Sequence, residues 1–218
     1  MPRLLFEKKG NAVWISHLDL MRLFQRAFKR ADLPLTHTQG YNPRPSVSIA
    51  LPMSVGVESS CELLDFDLYG QMPGNDEIRD RLNKALTEGV RVLEVYDSGL
   101  KIKHLSYLAC TLVMEYDEGV PADACQRLQE LFGKEALLLE KKGKNGIVEQ
   151  DIISMIRSIS FQAKDQEIVV DAVICCQNPT LNPMQISAAV TKYLPELTPD
   201  FVKCCRNEIY DTEMYVFR

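Results

Sequence analysis

The residues of this chain best suited to proton transfer stand in its first forty positions. His17 directly follows Ser16, a residue type that caps helix N-termini, and Asp19 comes three places after that cap. The positive end of a helix starting there favours a neutral imidazole, the form a general base needs. His37 lies in the polar stretch beyond the helix and is expected to approach His17. With Asp19, the two histidines would serve acid–base work on a phosphodiester. The plainer alternative is that His17 packs or caps at a helix start and does no chemistry.

A second group of residues suits anion binding. Arg22, Arg26 and Arg30 recur every fourth position, which places them on one ridge of a helix. Guanidinium groups match phosphate oxygens bidentately. Residues 36–45, THTQGYNPRP, then supply Gln39, Tyr41, Asn42 and Arg44. Arg44 sits between two prolines on a stiff, extended stretch, and Tyr41 is placed to stack on a base, as readers of single-stranded RNA do. Against this stands an ordinary exposed face, with Tyr41 and the prolines packing the loop down. Asp65 and Asp67 alternate with Leu64, Phe66 and Leu68, so they share one strand face. They would bind a cation there or, more plainly, be solvated.

Charge points the same way as the arginine ridge. The net charge is −5, but residues 1–50 carry eight bases (Arg3, Lys8, Lys9, Arg22, Arg26, Lys29, Arg30, Arg44) and three acids (Glu7, Asp19, Asp32), which is 8 − 3 = +5. The remainder has 25 − 8 = 17 bases and 30 − 3 = 27 acids, or −10. A basic region on an acidic chain focuses its field on one surface and favours a polyanionic partner, with RNA the leading candidate.

Several functions are excluded or disfavoured by what the sequence lacks. There is no phosphate-cradling glycine motif, nucleophile elbow or HExxH motif, and Gly40 and Gly56 are expected to mark positive-φ turns. The seven cysteines include the adjacent pairs Cys175-Cys176 and Cys204-Cys205, with no C-x-x-C and no zinc-finger spacing. In a strand, one member of each pair faces the core, so buried free thiols in a reducing compartment are expected. Neither a metal nor a cofactor is expected. No run approaches the roughly 18 apolar residues of a membrane helix, and the N-terminal stretch lacks a secretory apolar core, so the expectation is a cytoplasmic protein without membrane attachment.

These residues must be positioned by regular elements. Residues 4–8 read as a strand, Gly10-Asn11 as a turn and residues 12–15 as extended. Leu20, Leu23, Phe24, Ala27, Phe28 and Ala31 then form an apolar stripe at helical spacing, ended by Leu33-Pro34. Strands are expected at 46–51, 61–69 and 90–96, with a loop at 52–60 and a helix at 76–87 that Asn75 caps and Gly89 ends. A second round follows: strands at 105–116, 136–141, 152–161, 167–176 and 201–210, and helices from Pro121 to Phe132 and from Asn182-Pro183 to Tyr193. An extra hairpin turns at residues 142–146. The order is β-α-β-β-α-β twice, so the expected fold is α+β with two tandem ferredoxin-like (βαββαβ) halves, residues 1–100 and 104–218.

The run ISHLDLMRLFQRAFKRADLPL, followed by QGYNPRPSVSIALPMSVGVES and ELLDFDL, resembles the radical SAM-linked proteins, a bacterial family of unknown function. The likeness is dense over residues 4–68 and looser beyond. It rests on Ser16-His17-Leu18-Asp19, on Arg22/Arg26/Arg30, on Gly40-Tyr41-Asn42-Pro43 and on Pro52/Gly56. It implies a radical S-adenosylmethionine protein as partner, encoded beside or fused to it, and a link to RNA modification or maturation. The chain lacks the C-x-x-x-C-x-x-C triad that would hold an iron–sulfur cluster, so the radical chemistry is expected to belong to the partner. The sequence is similar, more weakly, to CRISPR repeat-processing endoribonucleases, which pair two ferredoxin-like domains and place a histidine near the first helix. Their C-terminal glycine-rich loop is missing here, the last glycine being Gly146. The expected function is therefore an RNA-binding accessory of a radical enzyme. The alternatives are a metal-independent endoribonuclease using His17 and a protein-only scaffold for the radical enzyme.

Overall fold

The computed structural model describes residues 2–143 and 146–218. The protein is mixed α/β, with four α-helices among the described residues. It divides into two compact units, Met1–Ile102 with Arg218, and Lys103–Phe217.

The first unit contains β1 (Pro2–Lys8), α1 (His17–Arg30), β2 (Val47–Ile49), β3 (Val57–Phe66), α2 (Asn75–Ala85) and β4 (Val90–Asp97). Its strands run β4-β1-β3-β2, each antiparallel to its neighbour. β1 is central because it is apolar at successive positions: Leu4 lies opposite Leu64 on one side and Val95 on the other. The helical stripe packs onto that sheet. Leu20, Phe24, Ala27 and Phe28 are fully buried, with Phe24 edge-on to Phe6 at 4.7 Å and Phe28 tilted against Phe66 at 5.1 Å between ring centroids.

The structure changes several of the expected boundaries. The turn expected at Gly10-Asn11 extends into the residues expected to be extended, 12–15, as a 3-10 turn, Gly10–Trp14. Gly10 adopts φ +55, a left-handed conformation that turns the chain straight after β1. The turn packs against Gly89, where a Cβ would lie 2.4 Å from the Lys9 carbonyl oxygen, so no side chain fits there. β3 begins at Val57, taking in residues assigned to a loop, and α2 is capped at Gly74 rather than Asn75.

Two of the eight N-terminal cations are interior. The buried Arg3 donates from Nε to Asp65 Oδ1 at 2.6 Å, from Nη1 to Ser98 Oγ at 2.8 Å and from Nη2 to the Leu100 carbonyl at 2.9 Å. Lys8 is fully buried and donates from Nζ to the Ile15 carbonyl at 3.1 Å. The sequence count places both in the basic region, and the fold withdraws them from the surface. Their charged ends are met by internal acceptors, which offsets the cost of burying them.

The second unit contains β5 (Leu105–Glu115), α3 (Ala124–Phe132), β6 (Leu138–Gly143), β7 (Gly146–Asp151), β8 (Ile156–Lys164), β9 (Glu167–Cys175), α4 (Met184–Tyr193) and β10 (Phe201–Asp211). Its sheet runs β10-β5-β9-β8, again antiparallel throughout, and β6 pairs with β7 in a separate hairpin. Of the hairpin turn expected at residues 142–146, positions 144 and 145 lie outside the described residues. α3 starts at Ala124, not Pro121, after a turn. The strand expected over 152–161 is interrupted at its start by a 3-10 turn, Ile153–Met155. There the Asp151 carboxylate accepts from the Leu137 amide at 2.8 Å and the Ile153 amide at 3.1 Å, which holds its carboxyl below the usual carboxylate range.

The cysteine pairs alternate as strand geometry requires: Cys176 and Cys204 are buried, Cys175 and Cys205 only partly. Burial pushes the Cys204 thiol up to about 12 and the Cys110 thiol higher still, so neither ionises as a nucleophile near neutrality.

Two outcomes follow from this packing. Phe24→Ala removes a fully buried ring and is expected to cost about 3–5 kcal/mol in urea unfolding, whereas the exposed Arg26→Ala stays within about 0.5 kcal/mol. Burial pushes the Tyr116 phenol, which donates to the Leu197 carbonyl at 3.0 Å, up to about 12. An unfolded tyrosine ionises near about 10. Stability is therefore expected to be full below that pH and to fall as pH rises from about 10 to 12, because the unfolded chain loses the proton first. The urea midpoint measured against pH checks this, and Tyr116→Phe should make the fall shallower.

Candidate functional site

Ser16 starts α1 by accepting a hydrogen bond from the Asp19 amide at 3.2 Å, and its hydroxyl donates to Asp19 Oδ2 at 2.7 Å. Asp19 Oδ1 accepts from Arg22 Nη1 at 2.9 Å. The Ser16 hydroxyl first, and the Arg22 guanidinium second, hold the Asp19 carboxyl below its usual range. Asp19 is thus committed to the cap and to Arg22. His17, half-buried, has its Nδ1 buried with no hydrogen-bond partner among the described residues. Among the described residues no hydrogen bond to Nδ1 orients the imidazole as a base requires.

The structure does not bring His37 to His17, contrary to the sequence expectation. The segment before α1 is tied to the start of β3, where the Gly56 amide donates to the Val13 carbonyl at 2.9 Å. The polar loop is tied to the other end, where the Thr36 amide donates to the Asp67 carbonyl at 2.9 Å. At a strand rise of about 3.3 Å per residue, β3 separates those two anchor points by roughly 30 Å. His17, Asp19 and His37 therefore do not form one acid–base site.

Residues 36–46 close on themselves. The Ser46 amide donates to the Thr36 carbonyl at 2.8 Å, the Thr38 amide to the Arg44 carbonyl at 2.8 Å and the Arg44 amide to Thr38 Oγ1 at 3.0 Å, and His37 bridges Pro45. This ribbon presents Gln39, Tyr41, Asn42 and Arg44 to solvent. Tyr41 is 99% exposed, so it does not pack the loop down.

The three arginines of the helix are not equivalent. Arg22 and Arg26 are exposed; Arg22 holds Asp19, and the Arg26 side chain makes no hydrogen bond or ion pair among the described residues. Arg30 instead donates from Nη2 to the Ala85 carbonyl at 2.5 Å, satisfying a carbonyl at the end of α2. Asp65 is the partner of Arg3, and Asp67 Oδ2 accepts from Thr36 Oγ1 at 2.9 Å, so both serve the fold. Among the described residues no three His, Cys, Asp or Glu side chains group in a way that would hold a metal ion. No described helix is long and apolar enough to cross a membrane.

Sequence reasoning missed one feature of this region. Trp14, Leu18 and Val55 are 65%, 67% and 50% exposed around the start of α1. The signal available was Leu18, which lies off the apolar stripe of its own helix.

Comparison with known proteins adds a family and a fold likeness. Residues 2–183 match the family described as an uncharacterized protein conserved in bacteria (DUF2344). No curated protein matches the chain. Among solved structures the chain is similar to one in the crystal structure of a Cbf5-Nop10-Gar1 complex, at 8% identity and a TM-score of 0.52, covering 95% of this chain and 48% of that one. This chain thus spans about half the length of that relative, and at such identity the likeness bears on the fold alone. A chain of an unknown protein from Galdieria sulphuraria aligns at 9% identity over 94% of this chain and 96% of that one, with a TM-score of 0.26, too low to carry an argument.

The cap geometry yields its own test. Ser16→Ala is expected to cost about 1 kcal/mol in chemical denaturation, with Ser16→Thr close to wild type, since a hydroxyl there both accepts from the Asp19 amide and donates to the Asp19 carboxylate.

Proposed function

We propose, for a chain that belongs to the DUF2344 family of uncharacterized proteins conserved in bacteria, that it is a cytoplasmic accessory protein. In this reading it binds RNA and works with a radical S-adenosylmethionine protein in RNA modification or maturation. The observation that carries the RNA reading is the exposed surface of the first unit once its interior cations are set aside. Arg22 and Arg26 are exposed on one helical ridge, and Tyr41 and Arg44 project from a hydrogen-bonded ribbon. Guanidinium groups neutralise phosphates, and an exposed aromatic ring stacks a base whatever its identity. The link to a radical enzyme rests on the resemblance carried by Ser16-His17-Leu18-Asp19, Gly40-Tyr41-Asn42-Pro43 and Pro52/Gly56. No catalytic step is assigned to this chain.

The same proposal reads residues 1–100 and 104–218 as two ferredoxin-like halves. In each, once the β6–β7 hairpin is set aside, the strand fourth in order lies beside the first, then the third, then the second. That strand order supports a duplicated βαββαβ arrangement.

Charge reversal at Arg22 and Arg26 is expected to weaken single-stranded RNA binding and to flatten the plot of log K against log salt by about 1.4, two phosphate contacts at about 0.7 each. Tyr41→Ala is expected to cost about 1–3 kcal/mol of binding with little change in that slope. Fluorescence anisotropy across a salt series measures both. Wild-type affinity and slope in the double reversal would remove RNA from the reading.

A further inference from the structure

We infer that the cavity lined by Lys103, Tyr107, Cys175, Asn178 and Thr212 is a binding site for a mononucleotide, its base held at Tyr107 and its phosphate at Lys103. The cavity holds about 270 Å³ and lies wholly within the second unit. It shares no residue with the α1 ridge or with the ribbon at 36–46, so it stands whether or not those bind RNA. Pockets for drug-sized ligands run from about 300 to 1,000 Å³, which leaves room here for a single heterocycle and little more.

The strands bring these groups together. In β5, Leu108, Cys110, Leu112 and Met114 are buried, and Tyr107, Ala109 and Thr111 lie on the opposite, less buried face. Tyr107 stands across from Cys175 of β9 on one side and Tyr210 of β10 on the other. The Arg157 guanidinium lies over the Tyr107 ring, 5.2 Å from its centroid. Aromatic rings and guanidinium planes are the two kinds of surface on which proteins hold unstacked bases. Asn178 sits on a closed loop. Cys176 bridges Thr180, the Leu181 amide donates to the Cys175 carbonyl at 2.9 Å, and the Cys176 amide donates to the Ser106 carbonyl at 3.0 Å. A loop tied in this way has little freedom left to lose when a ligand binds.

Polar groups at the cavity are left without internal partners. Among the described residues the side chains of Lys103, Asn178 and Thr212 make no hydrogen bond or ion pair. The Asn178 amide offers a donor and an acceptor side by side, which matches the paired donor and acceptor on a base edge. The Lys103 ammonium supplies a compact positive charge for a phosphate. Burial pushes the Cys175 thiol up, so it adds no negative charge against that phosphate near neutrality. Residues 103–217 carry 11 bases and 17 acids, 11 − 17 = −6. A long polyanion is repelled by such a unit, which favours a ligand with few phosphates over an extended strand.

Equilibrium dialysis of the full chain against AMP, adenosine, ribose 5-phosphate and a short oligoadenylate tests the assignment. AMP is expected to bind, and ribose 5-phosphate, which lacks the base, to bind at least fivefold more weakly, the low end of what one stacked base contributes. Lys103→Ala and Asn178→Ala change exposed residues, so the fold is expected to be kept, as circular dichroism checks. Each should weaken AMP binding at least fivefold, with Lys103→Ala leaving adenosine binding unchanged. Tyr107→Phe keeps the ring and should bind AMP as the wild type does. Equal affinity for AMP and ribose 5-phosphate, or wild-type AMP affinity in both alanine variants, would overturn the site. Oligoadenylate binding that is lost in Asn178→Ala, with no binding of AMP, would overturn the mononucleotide in favour of a strand. No binding of AMP or oligoadenylate at millimolar concentration would overturn the inference outright and leave the α1 ridge untouched.

Discussion

The packing of α1 onto β1 and β3 decides what the first unit can offer a partner. Phe24 meets Phe6 and Phe28 meets Phe66, and these ring contacts fix the rotation of the helix about its axis. Once they are made, the residues on the far side of the cylinder have no choice but water. Arg22, Arg26 and Leu18 are exposed because of this constraint, and the hydrophobic effect that buries the stripe also displays the ridge.

The second constraint is the disposal of charge. A count of bases along the sequence treats all eight as surface groups, yet Arg3 and Lys8 are interior and Arg30 serves the end of α2. Arg3 is stabilised by a carboxylate, a hydroxyl and a carbonyl arranged around a planar guanidinium, the geometry that lets a buried cation offset its desolvation. What remains is a smaller and more sharply placed basic surface, centred on Arg22 and Arg26. The polar loop, with Arg44 and Tyr41, belongs to the other end of β3. A strand of ten residues keeps the two apart and separates His17 from His37.

Residues distant in sequence are brought together at the start of α1 instead. Gly56, from the loop before β3, reaches the turn that carries Trp14, and Lys8 supports that turn from the end of β1. This convergence gives a physical reason for the Pro52/Gly56 pattern. A glycine with positive φ lets the loop come close enough to donate its amide and to lie under the indole ring.

By itself the sequence determined the elements whose period is strong. The stripe Leu20-Phe24-Ala27-Phe28 announced α1, Ser16 announced its cap, and β5, β9 and β10 lie where strands are expected. It also determined which cysteine neighbours split between core and surface, because a strand has period two. Only the tertiary structure decided which charges remain at the surface, since a lysine or arginine carries no mark of the carbonyl that will receive it. Only the structure set His17 and His37 at opposite ends of β3, because sequence proximity does not measure distance across a strand. It alone brought Gly56 to the turn that carries Trp14, through the hydrogen bond from the Gly56 amide to the Val13 carbonyl, which no periodicity encodes.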